Sequence, residues 1–215
     1  MDQMTHQDIA RKTASYLLQL EAVKLRPDQP FTWASGWKSP IYCDNRVTLS
    51  DHSARSFIRE ALSATIRHHF PEVTAICGVA TGAIAQGVLV ADALKLPFSY
   101  VRSKAKDHGM GNQIEGRIQA TDKVVVVEDL VSTGGSSLKA VQALREYGCE
   151  VLGMVAIYTH GLRAAEEAFK EADVTLYTLS NYSQVVEQAA ESGYISPSDL
   201  EMLKEWRKDP ANWGK

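Results

Sequence analysis

The sequence is poor in cysteine: its 215 residues include only Cys43, Cys77 and Cys149, which are widely spaced and form no C-x-x-C pair. An odd number of scattered cysteines argues against a disulfide framework, and the missing pair argues against a zinc ribbon or a thioredoxin-type redox motif. We therefore expect three small, buried hydrophobic side chains in a reducing compartment.

The sequence also lacks a long apolar run, a basic leader and an excess of positive charge. No apolar stretch reaches the roughly 18 residues of a membrane span, and residues 1–6 lack the basic and apolar segments of a secretory signal. The formal net charge is −3, which disfavours general binding of nucleic acid or anionic membranes. These features predict a cytoplasmic globular protein with neither nucleic acid nor a membrane as partner.

Several common catalytic motifs are missing. The chain has no G-x-x-x-x-G-K-[ST] phosphate loop, no G-x-S-x-G nucleophile elbow and no H-E-x-x-H metal motif. The Gly109-Met110-Gly111 run lacks the third glycine of a dinucleotide-binding fingerprint and does not lie between a strand and a helix. The enzyme classes that these motifs mark are therefore disfavoured.

Helical and extended patterns alternate along most of the chain, which is typical of α/β folds with parallel strands. Residues 5–24 have helical spacing, residues 26–48 contain turns and short strands, and a helix capped by Ser50 or Asp51 runs to about His69. Strands are then predicted at residues 73–79, 98–101, 123–128, 151–158 and 174–179, and helices at residues 82–94, 134–147 and 163–171. Two further helices close the chain, the second capped by Ser196. We predict a central, mostly parallel sheet flanked by helices.

The segment 124–137 combines a strand, two acids and a glycine-rich turn. The valines at 124–127 suit a strand covered on both faces, and open α/β sheets bind ligands beyond the carboxyl ends of such strands. After Glu128 and Asp129 comes Ser-Thr-Gly-Gly-Ser-Ser, whose N–H groups at a helix N-terminus favour a phosphate. The acids would repel that phosphate, so we expect them to face sugar hydroxyls or a metal-bound diphosphate. The alternative is a capped loop with two exposed acids.

A second polar segment, residues 102–118, carries cationic side chains at alternate positions: Arg102, Lys104, Lys106 and His108. In an extended loop these side chains share one side, and the flanking glycines would let the loop bend or close. A cationic arm of this kind suits a diphosphate leaving group, on which negative charge develops during a reaction. The alternative is a solvated loop with ordinary surface lysines.

Residues 124–136 closely resemble the phosphoribosyl-pyrophosphate (PRPP) signature of type I phosphoribosyltransferases. The resemblance implies the type I phosphoribosyltransferase fold, with a small N-terminal hood. It also implies that Glu128 and Asp129 hold the ribose 2′- and 3′-hydroxyls and that residues 132–136 cradle the 5′-phosphate. The residues it assigns to PRPP are Arg102, Lys106, His108, Glu128, Asp129, Leu130, Val131, Ser132, Thr133, Gly134, Gly135 and Ser136.

Two further motifs narrow the resemblance to orotate phosphoribosyltransferases. The loop R-S-K-A-K-D-H-G-M-G is similar to that family's catalytic loop, and F-T-W-A-S-G-W-K-S-P-I-Y at residues 31–42 is similar to the segment that borders its orotate pocket. The resemblance implies transfer of ribose phosphate from PRPP to orotate, with Lys106, His108 and Asp129 as catalytic residues. It assigns Ser132 and Lys38 to orotate. It further implies a homodimer with shared active sites. We expect Mg²⁺ to bind mainly through pyrophosphate, sugar and water oxygens, since it keeps several waters.

We interpret the chain as a single domain over residues 1–215, with an N-terminal helix and hood at 1–48, an α/β core at 70–180 and C-terminal helices at 181–215. It departs from the family pattern at Ser103, at the lysine-free 78–83 turn, and after the 151–158 strand, where an arginine is replaced by Thr-His-Gly-Leu. These departures suggest that orotate is bound more through backbone groups and the N-terminal segment. The rival hypotheses are a transferase for another base and a non-catalytic PRPP sensor. Of the four tryptophans, we expect packing roles, with Trp33 and Trp37 as candidates for stacking on a base.

Overall fold

The computed structural model describes residues 4–33, 36–103 and 113–213. The first helix begins at Thr5, which exchanges hydrogen bonds with Asp8 in a capping box. Two small antiparallel hairpins follow, in which β1 pairs with β4 and β2 pairs with β3; we call these four strands the hood. The N-terminal elements are α1 (His6–Gln19), β1 (Val23–Leu25), β2 (Phe31–Thr32), β3 (Lys38–Ser39), β4 (Ile41–Cys43), a 3₁₀ helix (Asn45–Ser50) and α2 (His52–His69).

The rest of the chain alternates strands and helices around a six-stranded sheet. Its elements are β5 (Ala75–Val79), α3 (Ile84–Leu94), β6 (Phe98–Val101), β7 (Ile114–Glu115), β8 (Lys123–Val131), α4 (Gly135–Tyr147), β9 (Glu150–Thr159), α5 (Arg163–Glu171), β10 (Leu176–Asn181), α6 (Tyr182–Glu191) and α7 (Pro197–Lys208). The strand order is β10-β9-β8-β5-β6-β7, and every pairing is parallel except that of β6 with β7. The predicted mostly parallel sheet is confirmed.

The valine run of β8 lies at the centre of the sheet and is covered on both faces. Val125 and Val127 belong to the apolar cluster that includes residues of α1, α2 and α6, whereas Val124 and Val126 belong to the cluster that includes residues of α4 and α5. The side chains of all four are fully buried, as expected of a central parallel strand. Within the described ranges, no helix has the length and apolar character needed to cross a bilayer.

Several predicted boundaries are corrected. β8 was expected to end at Glu128 but continues to Val131, because β9 stays in register with it as far as Thr159. Helix α3 begins at Ile84 rather than at residue 82, and the last strand begins at Leu176 rather than at residue 174. The expectation of three buried cysteines is wrong for one of them, since Cys43 is only half-buried; all three are free thiols.

Helix α2 has Asp51 as its N-cap, which decides between the two predicted caps: its carboxylate accepts from Ala54 N at 2.7 Å. Asp51→Ala should lower the free energy of unfolding by about 1 kcal/mol, because a helix N–H loses its partner. The neighbouring exposed Ser50 gives a matched control, and Ser50→Ala should stay within about 0.5 kcal/mol of wild type. Urea unfolding measures both. Equal losses in the two variants would contradict the assignment of the cap.

Candidate active site

Glu128 lies near the carboxyl end of β8 and is almost fully buried, with 4% of its surface exposed. Its carboxylate accepts hydrogen bonds from Ser137 Oγ at 2.8 Å and from Asp129 N at 2.9 Å. Burial, and then the neighbouring Asp129 carboxyl, raise the pKa of Glu128 to about 8. In the ligand-free protein this acid is therefore mostly protonated at neutral pH.

Asp129 is more accessible and faces the turn that follows β5. Its Oδ1 accepts from Leu130 N at 2.8 Å, and its main-chain carbonyl accepts from Asn45 Nδ2 at 2.6 Å. A side chain on Gly82, in the turn, would overlap the Asp129 carboxylate. The two acids thus have different surroundings: Glu128 lies inside the fold, and Asp129 lies at the open edge of the sheet.

The loop at residues 132–136 leads from β8 into α4. Gly134 has φ +85°, and a Cβ there would also lie 2.9 Å from the ring of Phe169, so only glycine fits. No side chain caps the N-terminus of α4. Its first N–H groups are therefore available to an anion, which the helix dipole also favours. The predicted phosphate loop has the geometry of an anion site.

An aromatic cavity of about 440 Å³ lies on one side of this loop. Trp33 forms much of its wall: the indole stacks on His160 at 4.9 Å between ring centroids and lies nearly parallel to Trp37 at 6.5 Å. The loop contributes Ser132 and Thr133. The remaining lining residues are Thr32, Tyr42, Cys43 and Leu130. A cavity with flat aromatic walls and few polar groups suits a planar ring.

A second cavity, of about 380 Å³, lies between the loop, the end of β5 and the end of β6. Its two cationic side chains are Arg102 and Lys139, and the loop contributes Gly135 and Ser136. Arg102 is fixed by its main chain, which exchanges hydrogen bonds with Gln113: Arg102 N donates to Gln113 O, and Gln113 Nε2 donates to Arg102 O. The cations and the bare helix end make this cavity suitable for phosphate groups.

His160 was noted from the sequence only as a departure from the family pattern, yet it lines the aromatic cavity. Its Nδ1 lies 3.2 Å from the hydroxyl of Tyr158. Burial, and next the charge of Arg207, lower the pKa of His160 to about 3, so the ring is neutral at physiological pH. The signal available in the sequence was its position, because it directly follows the carboxyl end of β9.

The other predicted site residues are distributed as follows. Lys38 Nζ donates to Thr32 Oγ1 at 2.9 Å, and Thr32 lines the aromatic cavity. Val131 is buried, and its carbonyl accepts from His160 N and Thr159 Oγ1, so this residue supports the loop through its main chain. Lys106 and His108 lie outside the described residues.

Comparison with known proteins agrees with this geometry. The chain matches the family model of the phosphoribosyl transferase domain over residues 48–191. It is 59% identical over 206 residues to the orotate phosphoribosyltransferase of Porphyromonas gingivalis, covering 96% of this chain and 98% of that protein. This chain belongs to the orotate phosphoribosyltransferase family. The resemblance inferred from the three sequence motifs is confirmed.

Other members of the orotate phosphoribosyltransferase family are also similar to this chain in sequence and in fold. The Bacteroides fragilis enzyme is 60% identical over 206 residues, covering 96% of this chain and 97% of that protein. The crystal structure of orotate phosphoribosyltransferase from Aeropyrum pernix superposes with a TM-score of 0.74 at 30% identity, covering 85% of this chain and 99% of that one. The predicted fold class is thereby confirmed.

The raised pKa of Glu128 predicts a pH-dependent stability. A carboxyl group whose pKa is about 8 in the fold and lower when unfolded stabilises the fold below the unfolded pKa; this contribution is lost as the pH rises towards 8. Glu128→Gln removes the titration. From pH 5 to pH 8, the free energy of unfolding of wild type should therefore fall relative to that of Glu128→Gln. The relative change should exceed the roughly 1.4 kcal/mol that corresponds to one pKa unit.

Urea unfolding at several pH values measures this difference. Ser137→Ala serves as a companion variant: the hydrogen bond from Ser137 lowers the pKa of Glu128, so its removal should extend the loss of stability to higher pH. A constant difference between Glu128→Gln and wild type across this range would show that Glu128 is ionised in the fold.

Proposed function

We propose that this protein transfers the 5-phosphoribosyl group of PRPP to orotate, which yields orotidine 5′-monophosphate and pyrophosphate in pyrimidine biosynthesis. Family membership supports the reaction. The structural observation that carries it is the placement of the 132–136 loop between an aromatic cavity and a cationic cavity, to each of which it contributes residues. A base and a phosphorylated sugar can therefore meet at the end of β8.

The aromatic cavity is the proposed orotate site. The stacked rings of Trp33 and His160 offer a flat wall to the pyrimidine, and Ser132 offers a hydroxyl from the loop. Lys38, held at the rim by Thr32, is the proposed counter-charge for the orotate carboxylate. Because His160 is neutral, it contributes shape and hydrogen bonding rather than charge.

The acids and the loop form the proposed PRPP site. Glu128 and Asp129 accept from the ribose hydroxyls, the N–H groups of residues 132–136 hold the 5′-phosphate, and Arg102, Lys106 and His108 meet the pyrophosphate. When the bond to pyrophosphate breaks, positive charge develops at C1 of the ribose, and the Asp129 carboxylate nearby stabilises it. Binding both substrates around one loop also brings the reacting atoms together.

Magnesium is part of this proposal. No group of three or more His, Cys, Asp or Glu side chains able to hold a metal ion occurs in the described part of the chain. Because Mg²⁺ keeps several waters, we propose an ion bound mainly by pyrophosphate, sugar and water oxygens, with Asp129 as the accessible carboxylate. When bound, Mg²⁺ would neutralise charge on the diphosphate. We also propose a cytoplasmic homodimer, in which the 102–118 loop of one subunit closes over the other subunit's site.

Asp129→Asn should lower kcat/KM about 10- to 100-fold, because one charge-assisted hydrogen bond to the ribose is lost. The fold should be retained. The absorbance of orotate, followed with PRPP and Mg²⁺, measures the rate. Asp92→Asn, the same change on the exposed surface of α3, is the matched control. No orotate consumption by wild type would disprove the reaction, and near wild-type rates in the double variant Glu128→Gln/Asp129→Asn would disprove the roles of the acids.

Shared sites predict complementation between two defective chains. Lys106→Ala and Asp129→Asn should each be poorly active alone, but a mixed dimer has one site with an intact loop and intact acids. Random exchange makes about half of the dimers mixed, so equal amounts should recover about a quarter of wild-type activity per site. Subunit exchange is verified with differently tagged chains. Activity that stays at the parental level after exchange would show that the loop acts within its own subunit.

A further inference from the structure

Asn45 opens the 3₁₀ helix between the hood and α2 and is 2% exposed. Its side chain reaches β8, where Nδ2 donates to the carbonyl of Asp129 at 2.6 Å. The orientation of the amide follows from chemistry, since a carbonyl oxygen only accepts and the Nδ2 group must therefore face it. This contact joins residues 84 positions apart in the chain and ends on the main chain of a proposed ribose-binding acid.

The Asp129 carbonyl has no paired residue on β5, because β8 extends beyond the last residue pair of the two strands. The Asp129 carbonyl accepts from Asn45 Nδ2, whereas the carbonyl of Val131, two residues further on, accepts from His160 N beside the end of β9. The last residues paired between the two strands are Gly78 and Val127. The next N–H donor after this pair that is directed elsewhere is that of Ala80, which donates to Val101 O on β6. Asn45 thus supplies a donor to a β8 carbonyl that lies beyond the last residue pair with β5.

The other end of the Asn45 amide points back to the aromatic cavity. Its Oδ1 accepts from Cys43 Sγ at 3.2 Å, and Cys43 lines the cavity together with Leu130. Leu130 N in turn donates to the Asp129 carboxylate. A chain of hydrogen bonds therefore runs from the cavity wall through Asn45 to the peptide that carries the Asp129 side chain.

We propose that Asn45 is a positioning residue that couples the two substrate sites. By fixing the Asp129 peptide, Asn45 holds the Asp129 carboxylate in place for the ribose. Through its hydrogen bond with Cys43, Asn45 also responds to whether a ligand occupies the aromatic cavity. The roles of the two cavities rest on the proposed function. Occupation of the cavity by the base should therefore change the affinity for the sugar phosphate, and by thermodynamic reciprocity the sugar phosphate should change the affinity for the base to the same extent.

The test uses two ligands that do not react with each other, orotate and ribose 5-phosphate. Trp33 and Trp37 line the cavity, so tryptophan fluorescence reports orotate binding, and calorimetry reports ribose 5-phosphate binding. Asn45→Ala should weaken ribose 5-phosphate about three- to tenfold, the range of one neutral hydrogen bond. Orotate alone should bind within about twofold of wild type. Saturating ribose 5-phosphate should tighten orotate binding about threefold or more in wild type, and this ratio should approach 1 in Asn45→Ala.

Thr48→Val is the matched control. Thr48 is fully buried in the same 3₁₀ helix, and its hydroxyl donates to Asn45 O at 2.7 Å, so this variant loses a comparable hydrogen bond without touching Asp129. Thr48→Val should bind orotate and ribose 5-phosphate as tightly as wild type does. Saturating ribose 5-phosphate should tighten its orotate binding to the same extent as in wild type. Asn45→Ser, which keeps a polar group but is too short to reach Asp129, repeats the test if Asn45→Ala unfolds.

The outcomes separate this inference from the proposed reaction. A wild-type ratio of 1, or unchanged ribose 5-phosphate affinity in folded Asn45→Ala and Asn45→Ser, overturns the positioning role. Both readouts are independent of turnover. A wild type that shows the coupling but forms no orotidine 5′-monophosphate supports the role of Asn45 and overturns the reaction alone.

Discussion

Strand β8 continues past the last residue that it pairs with on β5, and the proposed ribose-binding acids, Glu128 and Asp129, lie on that extension. On one side, β9 remains in register as far as Thr159, so the extension is supported by a regular ladder. On the other side, β5 has already turned away, and Gly82 of its turn comes so close to Asp129 that a side chain there would overlap the carboxylate. Glu128 is therefore enclosed by the fold, whereas Asp129 lies partly exposed at the end of the sheet.

Two adjacent acids beside an anion-binding loop would be unfavourable if both were charged. The structure lowers this cost by burying Glu128 against Ser137, which raises the pKa of Glu128 to about 8. At neutral pH the Glu128 carboxyl is therefore mostly uncharged. The N-terminus of α4, which no side chain caps, keeps its attraction for an anion.

Local sequence was sufficient to predict the parts of the site that lie on one segment. The valine run, the acids and the glycine turn are consecutive, and each has a strong backbone preference, so β8, the loop and α4 were predicted close to where they lie. The end of β8 was predicted wrongly because pairing with β9 depends on Tyr158 and Thr159, which are distant in sequence. Cys43 gave no local signal, and His160 had only its position after β9, since packing of the hood against the end of β9 brings the two into one cavity.

The 132–136 loop serves both cavities, which limits how the site can change. Gly134 is fixed by its positive φ and by Phe169, so an altered loop would disturb both cavities together. Trp33 and His160, by contrast, line the aromatic cavity alone, where Trp33 stacks on the neutral His160 ring. An uncharged wall distinguishes bases by shape and hydrogen bonding, and leaves recognition of a carboxylate to cations at the rim. If the aromatic cavity is the base site, as proposed, substitutions at Trp33 or His160 should change the preferred base and leave the proposed phosphate site intact.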